Sequence, residues 1–205
     1  QPCPGEALGC AMNIFRRSAI ESGQWVAIVG AGFLGTLLVQ LAARSGARVI
    51  AISRRRYALD LAEQAGAVRT IPMLDHHAII REVMQCTEGR GCERVIEAVG
   101  EQWPLDLAGE LSAERGRLIV AGYHQDPRQV NMQLWNWRGL DVINAHERAP
   151  EAYVRGIREA VEAVTSGLID PAPLYTHAFP LIEVGAALTA LQTRPDGMLK
   201  SWVSL

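Results

Sequence analysis

The stretch WVAIVGAGFLG, Trp25 to Gly35, constrains the chain most. An apolar run leads into Gly30, Gly32 and Gly35, and a second apolar run of good helix formers follows. A strand that ends in GxGxxG and passes straight into a helix gives each glycine a task. One makes the tight turn, one lets backbone approach a pyrophosphate, and one lets helix pack on strand, with Phe33 and Leu34 between them opening the helix and counted among the expected cofactor contacts. The phosphates then meet the amide-rich helix N-terminus.

The motif gains weight from its surroundings. From Trp25 to Ala145, short apolar runs (WVAIVG, ARVIAIS, RVIEAVG, GRLIVAG, GLDVINA and a weaker VRTIP) alternate with amphipathic stretches. The latter predict helices over Leu34–Arg44, Ala58–Gln64, His77–Gln85 and Leu105–Leu111. Nearly continuous apolar strands alternating with helices predict an α/β fold, a parallel sheet covered on both faces and doubly wound. Outside this block, GEALGCAMNIFRRS reads as a helix with Arg16 and Arg17 in its last turn. Pro150 to Ser166 reads as another, with Gly167 just past its end. A run at Tyr175–Pro180, a helix at Ile182–Gln192 and a strand at Leu199–Leu205 complete the expected elements.

Composition narrows the function classes. With 49% hydrophobic residues, 20% charged and a net charge of -2, the 205-residue chain is an ordinary globular one, without the basic excess of a nucleic-acid binder. Val26–Ala43 has the length of a membrane span, but Gly30, Gly32, Gly35, Thr36 and Gln40 interrupt it, so it reads as core. No export signal opens the chain, and Cys3, Cys10, Cys86 and Cys92 form no CxxC pair. Reduced thiols and a cytoplasmic location are expected. The absence of an initiator Met suggests a piece of a longer protein. Lys200 is the only lysine.

The tip of the second strand bears on cofactor choice. An NAD-selective site holds the ribose hydroxyls with an acidic residue about 20 positions beyond the glycines. Here Ser53 stands eighteen positions after Gly35, followed by Arg54, Arg55 and Arg56. A hydroxyl removes the repulsion a carboxylate would exert on a 2′-phosphate, and arginine grips phosphate bidentately. The expectation is NADP(H) in preference to NAD(H), with Ser53 and Arg54 as main contacts and Arg55 next. The plainer alternative is a solvated arginine cluster opening the next helix.

Taken in order, WVAIVGAGFLG, VIAISRRR, VIEAVG, LIVAGY and RPDGMLKSWVSL resemble the medium-chain dehydrogenase/reductase superfamily, in its zinc-type alcohol and polyol dehydrogenase branch. The resemblance implies a Rossmann domain of six parallel strands. It implies that Glu97, Ala98, Val99 and Gly100 lie by the cofactor ribose, and Gly122 and Tyr123 near the pyrophosphate side of the nicotinamide. Asn144, Ala145 and His146 would approach the carboxamide. It further implies a homodimer through the Gly139–Ala145 edge strand. It divides the chain into residues 1–21 (connecting helix and remnant of a catalytic domain), 22–167 (cofactor domain) and 168–205 (a segment returning toward the catalytic domain). Gln1 to Ala19 and Tyr175 to Leu205 would then expose apolar surface, including Trp202 and Leu205.

The resemblance also shows what these residues lack. Family members carry a preceding GroES-like catalytic domain that supplies the first zinc ligands and most of the substrate pocket. Glu6 matches the Glu of the family's GEP motif, with Ala7 in place of Pro, and is the only metal candidate; Cys10, one turn on, is not counted as a ligand. A catalytic zinc needs three protein ligands and an open position. Adjacent His76 and His77 cannot chelate together on a helix and read as a solvated helix start. No bound metal is expected in this chain, and zinc only in a longer form. The catalytic residues and the substrate are left unassigned. Two functions remain open: the NADP(H)-binding portion of an alcohol or polyol oxidoreductase, and a non-catalytic module that binds the dinucleotide. A zinc-free quinone-type reductase is disfavoured by Glu6 and by the polyol-like C-terminus.

Overall fold

The computed structural model describes residues 5–204. Cys3 and Leu205, named above, lie outside the described residues. The central sheet is built from β1 (Trp25–Val29), β2 (Arg48–Ser53), β3 (Arg69–Pro72), β4 (Cys92–Glu97), β5 (Ser112–Val120) and β6 (Asp141–Asn144). All pairings are parallel, in the order β3-β2-β1-β4-β5-β6. Strand order therefore reverses between β1 and β4, which leaves a crevice at their carboxyl ends. Ala27, Ile28 and Val29 of β1 are fully buried, as a strand covered on both faces must be, and this explains the continuous rather than alternating apolar run.

Helices α1 (Gly5–Ser18), α2 (Phe33–Arg44), α3 (Arg56–Gln64), α4 (His76–Cys86) and α5 (Gln102–Leu111) are followed by α6 (Met132–Arg138), α7 (Pro150–Thr165) and α8 (Val184–Thr193). Most observed starts precede the expected ones by a residue or more. The largest shift is at α5, where Pro104 sits in the first turn and its missing N–H costs nothing. Helix α3 starts at Arg56, so Arg54 and Arg55 belong to the loop above β2. Helix α6 was not expected. Its signals are local and small: Asn131 accepts from Leu134 N at 3.0 Å and Gly139 closes it at φ 59°.

Helix α1 folds back onto α7 and α2. The contact with α7 is so close that a Cβ on Gly156 would lie 2.6 Å from the Gly9 carbonyl oxygen. Leu8, Ala11 and Ile14 are thereby buried, so the expected apolar exposure of the N-terminal segment is not found among the described residues. At the other end, β7 (Tyr175–Pro180) pairs in parallel with β8 (Lys200–Ser204) as a separate two-stranded sheet. Gln40 of α2 anchors this segment through two bonds to the backbone of Asp170, at 2.8 and 2.7 Å. Trp202 is half-buried rather than exposed; the exposed apolar side chains of this segment include Val203 beside it on β8 and Leu181, Ile182, Val184, Leu188 and Leu191, at the start and on the outside of α8.

Among the described residues no helix is long and apolar enough to cross a membrane. Val26–Ala43 resolves into β1, the glycine turn and most of α2.

Candidate functional site

The glycine turn does three separate jobs. Gly30 adopts φ 105°, a left-handed conformation that costs an L-residue energy and glycine little. A Cβ on Gly35 would sit 2.0 Å from the Gly30 carbonyl oxygen, so only glycine lets α2 seat against the turn. Around Gly32 a Cβ would meet nothing within 4 Å. Gly32 is the N-cap of α2 and provides no side-chain acceptor. The first-turn amides therefore face open space with the positive end of the helix dipole behind them.

A cleft of about 660 Å³ opens on one side of this turn. Gly30, Gly32, Ser53, Arg54, Arg55, Ala98 and Val99 line it. Seven of the residues expected from the sequence thus meet at one place. Met73, Glu101, Trp103, Pro104 and Arg194 also line the cleft and were missed; their contribution depends on strand and helix ends that only the folded sheet brings together. Arg55 donates to the carbonyl oxygen of Met198, tying the loop above β2 to the C-terminal segment. Burial first, then the nearby Arg194 and Arg54 charges, lower the Arg55 pKa.

A second hollow of about 260 Å³ lies on the other side of the α2 N-terminus, lined by residues that include Glu6, Cys10, Leu34, Tyr123, Ala145, His146 and Tyr153. Tyr123 and His146 face each other with ring centroids 5.9 Å apart. Asn13 of α1 donates to the Ala145 carbonyl at 3.3 Å and fixes the end of β6. The Glu147 carboxyl is held below the usual carboxylate range by the backbone N–H groups of Ala149 and Arg148. Burial, a hydrogen bond to Glu6 at 3.2 Å and the Glu6 charge together push the Cys10 thiol up to about 12.

Phe33, Asn144 and Gly122 are each held by contacts within the chain. Phe33 packs under the Tyr175 ring at 5.6 Å, with Lys200 Nζ 5.3 Å from its own ring centroid. Asn144 turns back to accept from His146 N at 3.0 Å. At Gly122 a Cβ would lie 2.2 Å from Gly100 N, so this glycine permits two loops to cross.

The Glu97 side chain lies behind the larger cleft and is not part of its lining. It is fully buried and its Oε1 accepts from Val99 N and Gly100 N, each at 2.7 Å. Its Oε2 lies 2.9 Å from His124 Nε2. Arg128 Nε donates to His124 Nδ1 at 3.1 Å, which leaves the ring proton on Nε2, facing the carboxylate. Glu97 thus shapes the Ala98–Gly100 turn from behind.

His76 also departs from expectation. It is largely covered, lies 3.1 Å from Glu110 Oε1 and packs on Trp103 at 6.0 Å, while His77 is exposed. Asp75, accepting from Ala78 N at 2.7 Å, is the cap of that helix. Among the described residues no group of three or more His, Cys, Asp or Glu gathers to hold a metal ion. The described residues do not fit a three-ligand zinc.

An open parallel sheet with a glycine turn at its reversal point and a cleft on each side defines an α/β protein of the Rossmann type. The chain belongs to the zinc-binding dehydrogenase family, whose model matches residues 34–162, within the medium-chain dehydrogenase/reductase superfamily. It is 27% identical over 193 residues to 2-dehydro-3-deoxy-L-galactonate 5-dehydrogenase of Pseudoalteromonas atlantica, covering 94% of this chain and 55% of that protein. It is 30% identical over 182 residues to L-threonine 3-dehydrogenase of Bacillus subtilis, covering 87% and 50%. The crystal structure of AibC superposes with a TM-score of 0.80 at 27% identity, covering 96% of this chain and 58% of that one. The chain spans about half the length of the curated relatives it matches.

Proposed function

We propose that this chain binds NADP(H) in preference to NAD(H), as the cofactor-binding portion of an oxidoreductase that transfers hydride between the nicotinamide and an alcohol, polyol or carbonyl carbon. The observation that carries the preference is Ser53 at the tip of β2, with Arg54 beside it in the larger cleft. The adenosine half takes that cleft, the pyrophosphate lies over the α2 N-terminus, and the nicotinamide reaches the smaller hollow near Tyr123 and Ala145.

The dinucleotide itself supplies the hydride chemistry. The chain's own residues bind and orient it. Gly32 keeps the approach to the α2 amides clear, and Ser53 and Arg54 select the 2′-phosphate. Arg55 holds the loop through Met198. Ala98 and Val99 wall the ribose on the β4 side, backed by Glu97. A catalytic zinc, in a longer form of the protein, would take its ligands mainly from residues outside this chain.

The same reading assigns residues 22–167 to the cofactor domain, with 1–21 and 168–205 as segments that meet a catalytic domain. It assigns dimerisation to β6, the edge strand of the sheet, and a cytoplasmic location, supported by free thiols at Cys10, Cys86 and Cys92. Titration of the purified chain with NADPH and with NADH, followed by tryptophan quenching, tests the cofactor assignment. Tighter NADPH binding is expected, and equal or tighter NADH binding would refute it.

A further inference from the structure

Arg194 stands 140 positions beyond Arg54 in the sequence, and the fold brings both to the wall of one cleft. We infer that Arg194 is a second specificity residue of the cofactor site, closing on the 2′-phosphate of the adenosine ribose from the side opposite Ser53 and Arg54. This rests on the NADP(H) reading above and adds a residue from the far end of the chain.

The path of the backbone explains how Arg194 arrives there. Helix α8 ends at Thr193, and Arg194 is its C-cap in the left-handed conformation, φ 46° and ψ 66°. Pro195 stops the helix, a turn closes with Met198 N donating to Pro195 O at 3.0 Å, and Met198 is buried. The Met198 carbonyl then accepts from Arg55. The turn carrying Arg194 is thus bolted to the loop carrying Arg54 by one buried anchor and one charge-assisted hydrogen bond.

Charge balance at the cleft points to an anion. Arg54, Arg55 and Arg194 are its three cations, and Glu101 is the only carboxylate on its lining. Glu101 is already taken by Arg128 at 3.3 Å. Arg55 spends its guanidinium on a neutral carbonyl, and neither Arg54 nor Arg194 has a carboxylate partner among the described residues. Three arginines against one carboxylate, itself bonded to Arg128, leave the cleft wall net positive, with Asp60 and Asp196 beside Arg54 and Arg55 in the adjoining hollow. A phosphate dianion suits that wall, and guanidinium suits phosphate geometry.

The C-cap position of α8, at φ 46°, is one that glycine adopts more readily than arginine, so Arg194→Gly keeps the helix end while removing the guanidinium.

The experiment compares the wild-type chain with Arg194→Gly, Arg194→Gln and Arg54→Ala, measuring NADPH and NADH affinity by calorimetry and thermal stability without ligand. The expected result is about a tenfold or greater loss of NADPH affinity in both Arg194 variants, NADH affinity within about twofold of wild type, and no drop in melting temperature for Arg194→Gly. A wild-type chain that favours NADPH, loses that preference in Arg54→Ala and keeps it in both Arg194 variants would overturn this inference alone. Equal losses for NADPH and NADH would also overturn it, because the contact would then be with a part common to both. A wild-type chain without NADPH preference would refute the underlying reading.

Discussion

Gly35 lies so close to Gly30 that a Cβ on Gly35 would stand 2.0 Å from the Gly30 carbonyl oxygen, whereas Gly32, between them, has open space where its Cβ would be. The two positions therefore answer differently to the same substitution. Gly35→Ala forces α2 away from the turn and should cost about 1–3 kcal/mol of stability, the range for overpacking. Gly32→Ala, at φ -78°, should leave stability within about 0.5 kcal/mol, the surface-substitution range, while weakening dinucleotide binding. Urea unfolding and cofactor titration of the two variants check this; equal destabilisation would contradict it.

Buried Glu97 predicts a second asymmetry. Its carboxylate accepts from two backbone amides and faces an N–H of His124 that Arg128 fixes in place. In Glu97→Gln the amide NH2 opposes that N–H, so a buried donor loses its acceptor at about 1–3 kcal/mol. Cofactor affinity should fall as well, because Ala98 and Val99 line the cleft. Denaturant midpoints for Glu97→Gln and His124→Gln test the pair, and a Glu97→Gln variant as stable as wild type would show that the network does not brace the turn.

Cys10 should be unreactive at ordinary pH. Burial, the hydrogen bond to Glu6 and the Glu6 charge push its thiol up to about 12 from 9.0. The folded state thus holds the proton more tightly than the unfolded state. The associated stability is complete below the ordinary thiol value and is lost as pH rises through the folded value. Glu6→Gln removes the charge and should accelerate alkylation of Cys10 at pH 9, read by peptide mass analysis. A rate unchanged by the substitution would contradict the part assigned to Glu6 and leave burial alone.

The edge of the sheet gives a fourth expectation. Strand β6 is unpaired on its outer side, Val142 on it is 39% exposed, and Trp137 of the preceding helix is 84% exposed. An edge with neighbouring apolar side chains favours pairing with a second copy. Light scattering at micromolar concentration should give a dimeric mass for the wild type and a monomeric mass for Val142→Lys. A monomeric wild type would refute the dimer.

What the sequence disclosed follows from how each feature is encoded. The inner strands were legible because a strand buried on both faces leaves an unbroken apolar run, while the partly exposed edge strands β3 and β6 left shorter ones; the glycine turn was legible because its steric demands fall on three nearby positions. Helix α6 is only seven residues long, too short for a periodic signal, and its evidence lay in two caps. Glu97 illustrates a different limit. Position at a strand end fixes which loop a residue serves, while the direction of its side chain depends on the pleat and on partners such as His124, 27 residues away. His76 was misjudged for the same reason, since Glu110 and Trp103 reach it from another helix. Arg194 had no local signal at all, because its proximity to Arg54 exists only after β8 and the Met198 turn have docked.

The most direct measurement is calorimetric titration of the wild-type chain and of Ser53→Asp with NADPH and with NADH. Ser53 stands where a carboxylate would repel a 2′-phosphate and hold ribose hydroxyls. The wild type should bind NADPH more tightly, and Ser53→Asp should reverse the order, with NADPH affinity falling by about tenfold or more. The same order in both proteins, or no preference in the wild type, would contradict the claim that the tip of β2 selects the cofactor.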